Sequence, residues 1–452
     1  MRRLSRRGFL RTLAAGGSTA LAAAMVGGRK VAGQTRPPNI ILILVDDLGW
    51  AELGCYGNTF NETPNLDRLA SQGMRFTQAY AAAPVCSPTR ASVMTGQYPA
   101  RVGITDYLRA DDAKHLSPEE HVSIAKALRA QGYATGLIGK WHLMGDYATR
   151  KGDPKLHGFD EVVCSETQYI GGGDYFHPYQ HLPGVPARME NEYLTDRLSL
   201  EAMDFITRHK GEPFFLYLSY YSVHTRLAAK QDLIEKYKQK PGAGKQRNNP
   251  ELAAMIESID DGVGQIAAAL TQCGIAENTV VVFMSDNGGD PKVTSNAPLR
   301  GVKSQLYEGG IREPMIVSWP AHVTPGSTCD VPVSTVDFYP TLLEMAGAAP
   351  KAEQTMDGEN LVPLLTGMGT LERDALFWHY PIAKPHFLGG RSSGAIRKGD
   401  LKLIEFYDTG EVELYDLAKD LGETINLASK LPEEAKELRQ GLDDWRQAVA
   451  KR

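Results

Sequence analysis

Five cysteines in 452 residues are too few to cross-link a chain of this size, and the odd number leaves at least one with a fate other than pairing. A chain this long buries a full core without a disulfide scaffold. No stretch beyond residue 35 approaches 18 uncharged apolar residues, so a spanning helix is excluded there. Positive charge is also short. There are 49 Lys/Arg against 54 Asp/Glu, and seven of the cations fall before residue 34, so a chain lacking that segment carries 42 against 54, a net −12. That balance excludes sequence-independent nucleic-acid binding, which needs clustered Lys/Arg to neutralise phosphates. Cys/His triads at zinc spacing and internal repeats are missing too. What is present is an ordinary globular composition, 42% hydrophobic and 23% charged, enough for two domains or one large domain with an appendage.

The first residues read as an address. SRRGFLR at 5–11 is a paired arginine followed by Phe9-Leu10, and a weakly apolar Ala/Gly-rich stretch follows from Thr12 to Val26. This looks like a twin-arginine export signal, with glycines at 16, 17, 27 and 28 opposing the alternative of a short amphipathic helix. Residues 1–35 are therefore set apart from the fold. The reading implies the twin-arginine export machinery as a partner, a periplasmic or secreted location and no stable membrane insertion. In that oxidising setting Cys55, Cys86, Cys164, Cys273 and Cys329 have the opportunity to pair.

Beyond residue 35, β-rich apolar runs (Asn39 to Val45, Thr135 to Ile138, Phe214 to Tyr221, Thr279 to Met284, Met315 to Trp319) alternate with helical patterns. That alternation predicts an α/β fold with a large, mostly parallel sheet sandwiched by helices. Ser117-Pro118-Glu119-Glu120 reads as a capping box opening a helix that Gly132 closes, and Thr63-Pro64 as the start of another ending at Gly73. Longer helices are expected over Glu251 to Leu270 and Thr335 to Met345. After residue 350 the pattern changes to antiparallel pairs, notably Leu401 to Tyr407 with Glu411 to Tyr415, and then a terminal helix from Pro432 with apolar Leu438, Leu442, Trp445 and Val449. The expected division is 36–350 for the main α/β domain and 351–452 for a small α+β subdomain completing the pocket.

In open α/β sheets, ligands bind beyond the carboxyl ends of the strands. Here those ends are polar: Asp46-Asp47, then Gly139-Lys140-Trp141-His142, Ser222-Val223-His224 and Ser285-Asp286-Asn287. Taken alone, Asp46-Asp47 reads as readily as a turn or cap. Together, Asp46, Asp47, Asp286 and Asn287 supply the hard oxygens of a Ca²⁺ or Mg²⁺ site. Two histidines and a lysine beside such a cation suggest proton transfer and anion binding. CSPTRASVMTG, at 86–96, places Cys86 before a proline-led helical start, where an anion meets free amides and the positive dipole end; the plainer alternative is a half-buried structural cysteine.

These residues resemble the type I sulfatases, the formylglycine-dependent branch of the alkaline phosphatase superfamily. Cys86, Pro88 and Arg90 match the modification motif CxPxR, and VDDLGW (45–50), GKWHL (139–143), SDNGG (285–289) and GVKSQLYEGGIREP (301–314) accompany it in order. The tail segments DGENLVPLL (357–365) and ELYDL (413–417) are similar as well. The resemblance implies that a formylglycine-generating maturation enzyme oxidises Cys86 to 3-oxoalanine, whose hydrate carries two hydroxyls on one carbon. It implies one divalent cation, Ca²⁺ in most of the family with Mg²⁺ as the alternative, on Asp46, Asp47, Asp286, Asn287 and an oxygen of residue 86. By the same resemblance Arg90 hydrogen-bonds the formylglycine, Lys140 and Lys303 bind sulfate oxygens, His224 protonates the departing alcohol and His142 takes a proton so that sulfate leaves. The chain departs from the family at Arg226, where HTP is usual, and at Met144 in place of the glycine of GKWHLG.

YYSVHT (220–225), FWHYP (377–381) and GGRSSGAIRKGDLKLIEFY (389–407) look most like bacterial enzymes that desulfate sugars, which makes a sulfated saccharide the expected substrate. Candidates for its contacts are Asp106, Tyr107, Arg109, Tyr169, His177, His379, His386 and Arg391, since rings stack on sugars and Arg pairs with anions. The five cations between Lys236 and Arg247 suggest an exposed loop, either a solvated connector or a patch for an anionic polymer. Two other functions stay open: phosphodiester or phosphonate monoester hydrolysis within the same superfamily, and sulfated-glycan binding without catalysis.

Overall fold

The structure is a computed structural model that describes residues 36–110, 112–168, 175–245 and 247–450. Residues 1–35, the segment that resembles an export signal, and Tyr169 lie outside the described residues. Nine strands form the main sheet: β1 (Asn39–Val45), β2 (Met74–Tyr80), β3 (Ala134–Gly139), β4 (Glu161–Val163), β5 (Phe214–Ser219), β6 (Thr279–Ser285), β7 (Arg312–Ser318), β8 (Ser327–Cys329) and β9 (Val333–Ser334). Their order is β4-β3-β5-β1-β6-β7-β2-β8, with β9 also on β2. Every residue of β1, β5 and β6 is buried, because helices cover both faces.

Alternation along β1 divides the core in two. Ile40, Leu42 and Leu44 face the layer of helices Cys86–Thr95, Ile124–Arg129 and Phe338–Met345; Ile41, Ile43 and Val45 face Leu194–His209 and Pro250–Gln272. Strands β4, β3, β5, β1 and β6 run parallel. The 315–319 run, grouped with them in the sequence, instead belongs to β7 and is antiparallel to both β6 and β2. A buried apolar run carries no mark of its direction.

A second correction concerns residues 117–120. The Ser117 hydroxyl does accept from the Glu120 N–H, at 3.2 Å, but the segment is a turn, and the helix starts at Ile124 under a different cap. Ser123 accepts from the Lys126 N–H while its own hydroxyl donates to the His157 carbonyl, so a tertiary contact fixes which serine opens the helix.

The smaller sheet is antiparallel in the order β10 (Ala375–Tyr380), β11 (Ser393–Lys398), β12 (Leu401–Phe406), β13 (Val412–Asp416). The Pro432–Ala450 helix buries Leu438 and Leu442 against Ile396, Leu403 and Leu414, and Trp445 stacks on Phe377 at 4.9 Å. Residues 37–452 form one compact unit. Within it Lys402 of β12 reaches Glu308, just ahead of β7, at 2.8 Å and Glu423 at 3.0 Å, all three fully buried. All five cysteines are free. No helix among the described residues is long and apolar enough to cross a membrane. In the cation-rich segment, Lys236 pairs with Glu62 and Glu257, Lys238 with Glu235 and Lys240 with Glu62, so three of the five cations have carboxylate partners.

Candidate active site

Strands β3, β5, β1 and β6 are consecutive neighbours and end level with one another: Gly139 pairs with Ser219, Ser219 with Leu44, and Leu44 with Met284. The four polar runs that follow therefore converge. Gly139 has φ +97° and a Cβ there would lie 2.0 Å from the Ser219 carbonyl oxygen, so only glycine lets the chain turn out of β3 while the Lys140 N–H bonds that same oxygen at 2.8 Å. Lys303 comes from the chain entering β7, whose reversed direction brings its first end to the same edge.

The charges interlock. Lys140 Nζ donates to Asp46 Oδ2 at 2.5 Å, and Lys303 Nζ to both Asp47 oxygens at 2.6 and 2.8 Å. Arg90 directs Nε and Nη2 at Asp286 Oδ2, at 3.0 and 2.6 Å, and Nη1 at Ser219 Oγ, 2.5 Å, and the Lys140 carbonyl, 3.2 Å. The bond from Arg90 to residue 86 implied by the resemblance is not among these. Burial opposes the ionised form of Asp46, yet Lys140 foremost, with His224, Arg90 and Lys303, holds it far below the carboxylate range. Asp286 goes the other way, to about 7, through burial and then the like charge of Asp46. Burial, then Asp286 and Asp47, also pushes Glu313 well up.

This crowding fits a cation. Ligand atoms of Asp46, Cys86 and Asp286 lie within 4.8 Å of one another, and Asp46 Oδ1 and Asn287 Oδ1 are buried with no hydrogen-bond partner. Buried acceptors without donors are rare unless something fills the site. Carboxylates and a carboxamide form a hard oxygen set, suited to Ca²⁺ or Mg²⁺. The sulfur of Cys86 is the one soft member, standing where an oxidised residue 86 would present oxygen.

Cys86 opens the Cys86–Thr95 helix, all ten residues of which are buried. The helix tolerates so many hydroxyls because each bonds: Thr89 to the Ala83 carbonyl, Ser92 to Thr335 and Thr95 to the Ala91 carbonyl. Burial raises the Cys86 thiol, so unmodified it is a protonated thiol and a poor nucleophile. His142 is held well below its usual range by burial, then by Lys140 and Arg90. Its Nε2–H donates to the Leu108 carbonyl at 3.0 Å, which leaves Nδ1, buried and unpartnered, as the basic nitrogen. His224 is lowered by burial and then Lys303; its Nδ1–H donates to the Thr225 carbonyl and Nε2 lies 3.8 Å from Asp47.

Asp47 and His142 have φ of +62° and +55°, which costs a non-glycine residue about 1 to 3 kcal/mol. Backbone bonds hold both: the Asp47 N–H donates to Asp286 Oδ1 at 3.1 Å, and the N–H groups of Trp141 and His142 donate to Glu166. Sequence reasoning missed Glu166, a lone acid in a loop; the only hint was its closeness to the end of a short strand.

A cavity of about 240 Å³ opens above Cys86, walled by Lys140, His142, His224, Lys303, Tyr107 and His386, and also by Thr225, Arg226, Lys292 and Phe387. Asp106 and Arg109 stand just behind Tyr107, paired at 2.8 Å, with the guanidinium 4.1 Å over the Tyr107 ring. The other three expected contacts lie elsewhere. His177 bonds the Val185 carbonyl, His379 bonds Tyr407, and Arg391 pairs with Asp408 over the Phe406 ring. Their side chains have partners of their own. A larger groove along the terminal helix is lined by Glu433, Glu437, Lys436 and Lys398 and holds none of this chemistry.

A mostly parallel sheet that gathers carboxylates, lysines and histidines at one end, over a residue at a helix start, defines an alkaline phosphatase-like hydrolase. Residues 38–348 match the sulfatase family and residues 302–448 the C-terminal part of N-sulphoglucosamine sulphohydrolase. The chain is 33% identical to a sulfatase of Formosa agariphila (87% of this chain, 85% of that one) and 33% identical to arylsulfatase A of Homo sapiens (94% and 90%). The crystal structure of Ps i-CgsB in complex with k-i-k-neocarrahexaose superimposes with a TM-score of 0.81 at 32% identity, covering 91% of this chain and 93% of that one. The protein belongs to the sulfatase family and is an enzyme that hydrolyses sulfate esters.

Proposed function

We propose that the enzyme removes O-sulfate from a sulfated saccharide, using formylglycine made from Cys86 by a maturation enzyme and a divalent cation, Ca²⁺ in preference to Mg²⁺, on Asp46, Asp47, Asp286 and Asn287. The observation that carries the reading is Cys86 at the floor of the cavity, within ligand distance of a hard oxygen set whose unpartnered atoms ask for a cation. A divalent cation bound there supplies a Lewis acid for a sulfate oxygen. Formylglycine at residue 86 would, once hydrated, supply a hydroxyl nucleophile and a second hydroxyl through which sulfate could be released by elimination.

The chain's own residues do the rest. Lys140 and Lys303 line the cavity with their ammonium groups and bind the outer sulfate oxygens. Arg90 fixes Asp286 and the loop carbonyl of Lys140. His224, whose Nδ1–H is committed to Thr225, acts as the imidazolium: Nε2, 3.8 Å from Asp47, carries the second proton and gives it to the departing sugar oxygen, which returns the ring to its neutral Nδ1–H form. His142 takes a proton on Nδ1. Residues 1–35 fit export by the twin-arginine machinery to the periplasm or medium.

The test is mass spectrometry of the tryptic peptide Phe76 to Arg90 together with sulfate release from sulfated sugars. Protein from its native host should show an aldehyde at residue 86 and release sulfate faster than it cleaves matched phosphate mono- or diesters. Unmodified cysteine in exported protein, or a large preference for phosphorus, would overturn the proposal.

A further inference from the structure

The cavity carries more positive charge than desulfation of one ester uses. Lys140 and Lys303 are matched by Asp46 and Asp47. Two more cations, Arg226 and Lys292, line the outer wall; both are exposed and neither is in an ion pair among the described residues. Among the described residues, no Asp or Glu lines the cavity.

Their placement is built. Asp290, 3% exposed, accepts from the Thr225 hydroxyl at 2.9 Å with one oxygen and from the Lys292 N–H at 2.8 Å with the other. One buried carboxylate thus clamps the loop after β5 to the loop after β6 and sets Arg226 and Lys292 on one rim. Phe387, 71% exposed, lines the same cavity with Lys292 Nζ 5.1 Å from its ring and His386 stacked behind it at 4.3 Å. A large ring left open to water beside an unpaired cation is a surface suited to an anionic sugar, whose apolar face stacks while its charge is paired. Arg226 also stands where the sulfatase pattern HTP has an uncharged proline.

We infer that Arg226 and Lys292 form a second anion subsite, so that the preferred substrate is a saccharide carrying another sulfate or carboxylate beyond the ester being cleaved, its ring against Phe387. The inference rests on the saccharide sulfatase reading. Arg226 meets two oxygens of a sulfate or carboxylate through two N–H donors, and Lys292 adds a point charge.

The test compares kcat/KM for nitrophenyl sulfate, a monosulfated galactose disaccharide, the same disaccharide with a second sulfate, and the same with a uronate in its place. The second anion should raise kcat/KM by about tenfold or more at low salt, less as salt is added, which is the scale of one charge-assisted contact. Arg226→Gln and Lys292→Gln should each remove most of that advantage, and Arg226→Lys should restore part of it. The uronate arm separates carboxylate from sulfate as the natural second anion. No preference for a second anion, or equal losses on singly and doubly charged sugars, would overturn the subsite. Calorimetric binding of the disulfated sugar to Cys86→Ser protein reads the rim without turnover: about tenfold weaker binding in Arg226→Gln supports it and unchanged binding overturns it. Inactivity of matured protein on every sulfate ester would defeat the saccharide sulfatase reading alone.

Discussion

Single residues in this site have roles that follow from which atom is left over. His224 has one ring nitrogen committed to a carbonyl and the other facing the cavity, so its loss should show only where the leaving oxygen needs a proton. Replacing His224 with Ala is expected to lower kcat on saccharide sulfates by about 100-fold or more, within the range of general acid catalysis, and on nitrophenyl sulfate by less than about tenfold. Equal losses on both substrates would refute the leaving-group role. Asp46, Asp47, Asp286 and Asn287 were legible in the sequence because each follows a run that announces a strand. Cys86 was legible through its motif. Arg226, Lys292 and Phe387 were not read as pocket walls, since loop residues of ordinary type take their meaning from the clamp by Asp290, which no local pattern reveals.

At the scale of elements, the loop after β3 matters most, because it presents both Lys140 and His142. Glu166 is what holds it, accepting from two consecutive backbone N–H groups and from the Tyr221 hydroxyl at 3.0 Å. Truncation to Ala leaves two buried donors unpaired and should cost about 2 to 4 kcal/mol in urea unfolding. It should also lower kcat far more than it changes KM, while Glu166→Gln, which keeps one acceptor oxygen, should fall between. A Glu166→Ala enzyme with full kcat would remove this positioning role. Elements were the best-read level of the fold: β1, β3, β5 and β6, the Pro64–Gln72 and Pro250–Gln272 helices and the β12–β13 hairpin lie where periodicity and turn residues put them. The direction of β7 was hidden because burial erases alternation. Strand β2 is not legible in the sequence, because an irregularity between Phe76 and Ala79 interrupts its period of two.

For the whole molecule, the balance of buried and half-buried histidines sets an acid limit. His157, His181 and His379 are each pushed down to about 4, burial being the first cause in every case. The unfolded chain, with histidines near 6.5, binds protons that the folded chain refuses, so their contribution is complete above about pH 6.5 and is lost as pH falls toward about 4. Melting temperature should be flat between pH 7 and 8 and fall by about 5 °C or more between pH 6.5 and 4.5 at constant ionic strength. A melting temperature that holds steady down to pH 4.5 would show that these rings are protonated in the fold.

The level strand ends have a further consequence. All the chemistry stands on one edge of the sheet, and the chain enters β3, β5 and β6 at the opposite edge through turns at Gly132, Gly211 and Gly274, each exposed and open around the missing side chain. The enzyme thus has a working end and a blind end. Anchored to a solid support through those three turns, it would face a dissolved polysaccharide with its cavity outward and lose none of the contacts on which the cavity depends.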